Sequence, residues 1–182
     1  MTYPEVGQEY EFGEGSFTVL GPTQIRDDSN NNSVVVRLDY GDTSFLFTGD
    51  AESKEEKDII AANEDLYCDV LSVGHHGSAS STSWDFLEAV LPEYAVISCG
   101  VNNSYGHPDP DTIEKLESIE AQIFRTDLQG NIIAISDGET ITWNNVPSNG
   151  EVLYAADFVS VKEEPNDTSS TVGELGPGNQ IQ

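Results

Sequence analysis

The chain has 182 residues and a mass of 19.8 kDa, room for one ordinary domain with a tail but not for two full-sized ones. Asp and Glu number 33 against 7 Lys and Arg, a net charge of -26, and the few cations are scattered from Arg26 to Lys162. That excludes the basic surface with which proteins replace counterions on nucleic acid or anionic membranes.

The elements read as follows in chain order. A short edge strand is expected at 10–12 and a strand at 16–20, ended by Gly21-Pro22. Residues 27–32 form a polar loop. Two β-rich runs, 33–40 and 43–48, flank Gly41-Asp42, a strong hairpin signal. From there helix and strand alternate. Ser53-Lys54-Glu55-Glu56 reads as a capping box opening a helix to about residue 63, and 69–73 is a short apolar strand ending in Gly74. Residues 83–91 carry Trp84, Leu87 and Leu91 at helical spacing before Pro92, and 94–99 is the next strand. A helix opens at 111–114 with Ile113, Leu116 and Ile119 on one face. Strands at 122–126, 131–136 and 140–143 close the unit. Beyond Pro147 one or two further strands fit 150–161, and from Lys162 the Glu-, Pro-, Ser- and Gly-rich composition predicts disorder. The division is thus an N-terminal edge segment (1–15), an α/β domain (16–146) with crossover helices, and an acidic tail (147–182).

No run approaches the roughly 20 apolar residues of a membrane span. The start, Met1-Thr2-Tyr3-Pro4-Glu5, lacks the basic and apolar regions of a signal peptide, so a soluble, cytoplasmic protein is expected. Cys68 and Cys99 are too few for a disulfide framework and read as buried thiols, with one bridge conceivable if their runs are neighbouring strands. The acidic residues are spread along the chain rather than gathered in a block. That pattern fits a salt-adapted organism, because strong salt shortens the Debye length to about 3 Å and screens self-repulsion.

The chemistry-bearing residues follow strand ends, where α/β proteins place their sites. Asp50 comes after the strand at 43–48, His75 and His76 after that at 69–73, and His107 lies in the loop after 94–99. Adjacent histidines in a Gly-flanked loop are poor core material and good imidazole donors.

The runs Asn31-Asn32-Ser33-Val34-Val35, Phe45-Leu46-Phe47-Thr48-Gly49-Asp50, Val70-Leu71-Ser72-Val73-Gly74-His75-His76-Gly77-Ser78, Tyr105-Gly106-His107-Pro108 and Arg125-Thr126-Asp127 together resemble one family. It is the second half of the metallo-β-lactamase-fold domain at the end of ComEC-type DNA-uptake (competence) proteins. The resemblance implies an αββα sandwich of which this chain carries the C-terminal half, and a zinc- or manganese-dependent hydrolase of phosphodiesters in nucleic acid. It makes Asp50 the metal-bridging carboxylate and His75 and His76 the late metal-ligand loop, with His75 favoured because it lies nearer the strand end. His107 would face the substrate and donate a proton to the leaving group, with Ser78, Asn103 and Tyr105 lining the mouth. The family's main motif, His-x-His-x-Asp-His or His-x-Asp-x-Asp-His, is absent, since no histidine precedes His75. Asp50 with one or two histidines is therefore a half-site, short of the three protein ligands of a catalytic zinc.

Three readings follow. The chain is half of a hydrolase completed by an N-terminal half-domain; or it is a non-catalytic binding or regulatory module. In either case a half-sandwich exposes an apolar sheet face that invites that partner or self-association. The third, an unrelated calcium-binding α/β domain, ranks last because no loop has EF-hand spacing.

Overall fold

A computed structural model describes residues 5–63 and 65–149, together with the strand segments 153–154, 159–162, 171–175 and 180–181. Seven strands, β1 (Glu9–Phe12), β2 (Gly15–Gly21), β3 (Val35–Tyr40), β4 (Thr43–Phe47), β5 (Val70–Ser72), β6 (Tyr94–Ile97) and β7 (Gln122–Arg125), form one sheet in sequence order. The first four make an antiparallel meander, and β4 to β7 run parallel. A parallel neighbour needs a crossover, and α1 (Ser53–Ala62), α2 (Trp84–Val90) and α3 (Pro110–Ser118) supply the three.

Period-2 alternation sorts the side chains. Leu46, Leu71, Ala95 and Ile123 face the helices and join Ile59, Phe86, Leu87, Val90 and Leu116 in one buried cluster. The alternate residues Phe45, Phe47, Val70 and Val96 face the other way. A hairpin, β8 (Ala134–Ser136) with β9 (Ile141–Trp143), covers part of that second face, Trp143 stacking on Phe124 at 4.1 Å between ring centroids. It is held over the β3–β4 turn, where the Asp42 amide donates to the Gly138 carbonyl at 2.6 Å. Gly41 is required there: with φ +57°, a Cβ would lie 2.2 Å from that same oxygen. The remainder of the face is an apolar groove of about 600 Å³ between Phe12, Leu38, Phe45, Phe47, Val70 and the hairpin. Parallel sheets are ordinarily covered on both faces; here Phe47 is 43% and Phe12 67% exposed.

Several local expectations are corrected. In α2 the buried stripe is Phe86, Leu87 and Val90, while Trp84 and Leu91 are exposed; the helix ends with Leu91 in a left-handed C-cap, so Leu91 lies outside the helical repeat. The capping box is not made: Glu52 is the N-cap of α1 without a side-chain cap bond. Of the two amides that the box would satisfy, that of Ser53 donates to the Ser80 carbonyl and that of Glu56 to the Glu52 carbonyl, both at 3.0 Å, while the Glu55 amide donates to Asn31 Oδ1 at 3.1 Å. Glu56 is instead buried, accepting from the Thr82 and Ser83 amides beside α2. The cap of α3 is Asp109, whose side chain accepts from the Asp111 amide, two residues before the expected start. A short helix α4 (Thr126–Gln129) has no counterpart in the sequence reading. Cys68 and Cys99 are both free: Cys68 precedes β5 and Cys99 follows β6, so the parallel strands place them at opposite ends. Cys68 is buried, and burial pushes its thiol up to about 12.

The sheet unit closes at Asn149, and residues 150–182 form a second unit. Ser148 and Asn149 bond to the backbone of Ile123, and β1 is the edge strand of the same sheet. In the second unit β10 (Leu153–Tyr154) pairs with β13 (Gln180–Ile181), and β11 (Val159–Lys162) with β12 (Thr171–Leu175), both antiparallel. The expected disorder of the tail otherwise falls outside the described residues. No described helix is long and apolar enough to cross a membrane.

Candidate functional site

Because β4, β5 and β6 are parallel, their C-terminal ends share one edge, and the loops leaving them carry Asp50, the histidine pair and His107. The Thr-Gly-Asp loop is tied at each residue. Thr48 Oγ1 donates to the Ser72 carbonyl (2.9 Å), the Gly49 carbonyl accepts from the His75 amide (2.9 Å), and the Asp50 amide donates to Ser33 Oγ (3.1 Å).

The histidine loop is a left-handed turn: His75, His76 and Gly77 have φ of 49°, 57° and 82°. Left-handed backbone costs a non-glycine residue roughly 1–2 kcal/mol, and such positions persist only where surrounding bonds fix them. The His75 carbonyl accepts from the Ser78 amide at 2.9 Å. At Gly77 a Cβ would lie 2.7 Å from Pro108 Cβ, so glycine lets the His107 loop approach.

His76 Nδ1 lies 2.7 Å from the Ser98 carbonyl oxygen. A carbonyl only accepts, so Nδ1 carries a proton, and in the neutral imidazole Nε2 then presents its lone pair. Nε2 stands 3.8 Å from Asp50 Oδ1. Two electron-pair donors facing each other are stabilised by positive charge between them, and the separation is within twice the ~2.1 Å metal–ligand bond of nitrogen and oxygen ligands. His76 and Asp50 are about half exposed, so the position opens to solvent.

His75 turns elsewhere. Its Nδ1 lies 3.5 Å from Glu52 Oε1 and its ring is edge-on to His107 at 5.8 Å. The structure thus brings Asp50 to His76 rather than to the favoured His75. Tyr105 stacks on His107 with 13° between planes, and His76, Cys99, Asn103, Tyr105 and His107 line a hollow of about 360 Å³. Asn103 spends its amide on its own loop, donating to the Gly100 and His107 carbonyls and accepting from the His107 amide. Ser78 is buried with its hydroxyl against Ser80.

Glu52 escaped the sequence reading. Its Oε1 accepts from Asn30 Nδ2 (3.3 Å) and Ser80 Oγ (3.0 Å), its Oε2 from Asn31 Nδ2 (3.2 Å). The signal was its position two residues after Asp50, masked by the apparent capping box one residue later. Among the described residues no group of three or more His, Cys, Asp or Glu side chains is arranged to hold a metal ion. The donor set therefore fits a cation in part, through Asp50 and His76.

Behind this edge Glu55 is 1% exposed. Burial pushes its carboxyl up to about 7, with the Ser33 amide and Arg26 pulling down and Asp58 and Glu56 pushing up. Between the unfolded value near 4.5 and about 7 the native state binds the extra proton, so stability falls as pH rises through that window. Glu56, also raised by burial, adds in the same direction. We expect the melting temperature of the wild type to fall between pH 5 and 8. Glu55→Gln, which keeps an acceptor for the Ser33 amide, should fall less and melt a few degrees higher at pH 8; parallel curves in a thermal series would refute the assignment.

Fold and edge together define a class: an α/β layer whose parallel strands gather a carboxylate and imidazoles at one rim. A family profile described as the metallo-beta-lactamase superfamily matches residues 5–101. The chain belongs to that superfamily. It is 35% identical over 127 residues to ComE operon protein 3 of Bacillus subtilis, covering 69% of this chain and 16% of the relative. It is 38% identical over 125 residues to competence protein ComA of Neisseria gonorrhoeae (68% and 18%). Recombination protein 2 of Haemophilus influenzae is 36% identical over 133 residues (72% and 16%). The chain thus spans less than a fifth of the length of these relatives.

Proposed function

We propose that this chain is the C-terminal half of a metal-dependent phosphodiester hydrolase, ComEC-like, whose remaining ligands come from an N-terminal half-domain seated on the open sheet face. The observation that carries this reading is the opposed pair His76 Nε2 and Asp50 Oδ1, with the proton of His76 fixed on Nδ1 by Ser98. Asp50 and His76 would hold a divalent ion, zinc or manganese, which when bound supplies Lewis acidity and an activated water. The protein's own residues do the rest. Ser98 keeps the His76 tautomer, Glu52 orients His75, and the Tyr105 ring fixes the plane of His107 at the rim of the hollow. There a ring nitrogen of His107 is placed to give a proton to a leaving oxygen. With 33 acidic residues against 7 basic, a nucleic-acid or other phosphodiester substrate reaches this rim only with cations to offset the charge. The same acidity fits a salt-rich cytoplasm.

A second reading, a binding or regulatory module without turnover, is favoured by the two-donor set, one ligand short of a catalytic zinc.

Titration with Mn²⁺, followed by calorimetry, tests the first step. Weak binding is expected, lost by about tenfold or more (about 1.4 kcal/mol) in Asp50→Asn and in His76→Ala, and little changed in His75→Ala. Equal affinity in all four proteins would sink the site. Hydrolysis of bis(p-nitrophenyl) phosphate should appear only on mixing with the N-terminal half. Binding without turnover in that mixture would favour the second reading.

A further inference from the structure

The Asn31-Asn32-Ser33 run has so far no part in the function, yet it lies against the candidate site from an element remote in sequence. We propose that Ser33 is a positioning residue: its hydroxyl, held by the first turn of α1, fixes the backbone that presents Asp50 toward His76. The proposal rests on the metal-site reading above and goes one layer behind it.

The chain of contacts is closed. Ser33 Oγ donates its only proton to the Asn30 carbonyl (2.8 Å), which aims its lone pairs away from that bond, and one of them accepts from the Asp50 amide at 3.1 Å. Ser33 is itself anchored, because its amide donates to Glu55 Oε2 (3.1 Å). Glu55 is anchored in turn by its own amide on Asn31 Oδ1. Asn31 is fully buried and spends its Nδ2 group on Asp28 Oδ2 (2.6 Å) and Glu52 Oε2 (3.2 Å). Loop 30–33 is thereby fastened to both Glu52 and Glu55, which bracket the entry to α1, and Asp50 sits two residues before that bracket.

Steric fit points the same way. Gly49 has φ +56°, and a Cβ there would lie 3.3 Å from both Ser33 Cβ and Oγ, so the Thr-Gly-Asp turn is pressed onto Ser33 with no slack. Its other side is tied to the histidine loop through the His75 amide on the Gly49 carbonyl. Ser33 is therefore the support on one side of a turn that carries Asp50 and anchors His75. A neutral hydroxyl suits this place. The Asp28 and Glu52 carboxyl groups already lie on Asn31 and that of Glu55 on the Ser33 amide, and a fourth would add like-charge repulsion, whereas a hydroxyl accepts the amide with no charge to desolvate.

Ser33→Ala removes the acceptor while keeping the Cβ. Its effect is read by amide hydrogen exchange, which needs no metal, and by Mn²⁺ affinity. The Asp50 and His75 amides should exchange about tenfold faster, while those of Leu71 and Val90 in the core are unchanged. The Mn²⁺ dissociation constant should rise about fivefold. Ser33→Thr, which keeps the hydroxyl, should restore both. Unchanged exchange at Asp50, or faster exchange with unchanged Mn²⁺ affinity, overturns the positioning role. Wild-type protein that binds no Mn²⁺ would remove the metal reading, and the exchange rates would still decide whether Ser33 holds the turn. The wild-type rates decide even if the alanine variant does not fold: an Asp50 amide as unprotected as a free peptide refutes the clamp.

Discussion

Phe86→Ala is expected to cost about 3–5 kcal/mol of folding free energy, the range for emptying a large aromatic site in a core. Phe86 is 1% exposed and belongs to the cluster that joins α2 to the sheet through Leu71, Ala95 and their neighbours. Short strands on either side leave that site little freedom to collapse. Domains of this size hold roughly 5–15 kcal/mol in total, so the variant should survive at 25 °C with a midpoint of denaturation far below that of the wild type. Trp84→Ala is the control. It removes a larger side chain two residues away, but Trp84 is 48% exposed, and its loss should cost under about 1 kcal/mol. Chemical denaturation of both, with m unchanged, decides between them. If Trp84 proved the costlier, α2 would be rotated relative to the face described here.

That inversion shows where the sequence was legible. Strands were readable because alternation and flanking glycines are local: the β3–β4 hairpin sits on Gly41-Asp42 as expected, and the alternation of helix and strand after it marks the crossovers. The apolar stripe of α2 was not readable, since Trp84, Phe86, Leu87, Val90 and Leu91 populate more than one face of a two-turn helix. Which face is buried depends on where Glu56 seats the N-terminus of α2, a contact between residues 26 or 27 apart. The cap of α1 failed for the same reason: the Ser53 amide is answered by the Ser80 carbonyl across 27 positions, out of reach of any local motif. At the site, strand order brought Asp50 and the histidine loop to one edge. Which of the two rings faces Asp50 hinged on left-handed backbone and on the Ser98 carbonyl, which only the folded chain sets opposite His76 Nδ1.

Phe47→Lys is expected to weaken association with the proposed N-terminal half-domain by about 100-fold or more, and to abolish any self-association through the same face. Phe47 is 43% exposed and lines the apolar groove with Phe45, Val70 and Leu38. Docking a second sheet there would bury about 800 Å² per partner in an interface of ordinary size, and a hundredfold loss corresponds to about 2.7 kcal/mol. A lysine beneath that sheet would be an unpaired charge taken out of water, a cost of several kcal/mol unless it finds a carboxylate. In the isolated chain the same lysine reaches solvent, so its melting temperature should stay within a few degrees of the wild type, and binding of an apolar dye should fall. Sedimentation of the two proteins, alone and with the N-terminal half, reads every arm. A wild type that is monomeric, binds no dye and matches Phe47→Lys in partner affinity would mean that the groove is closed by the chain's own residues. Selection for a missing half would then have left no mark on the sheet. If instead the lysine separates partner binding from folding, the groove at Phe47 is where the proposed half-domain seats. Asp50 and His76 would then stand at the rim of an interface, where the ligands that they lack can be supplied.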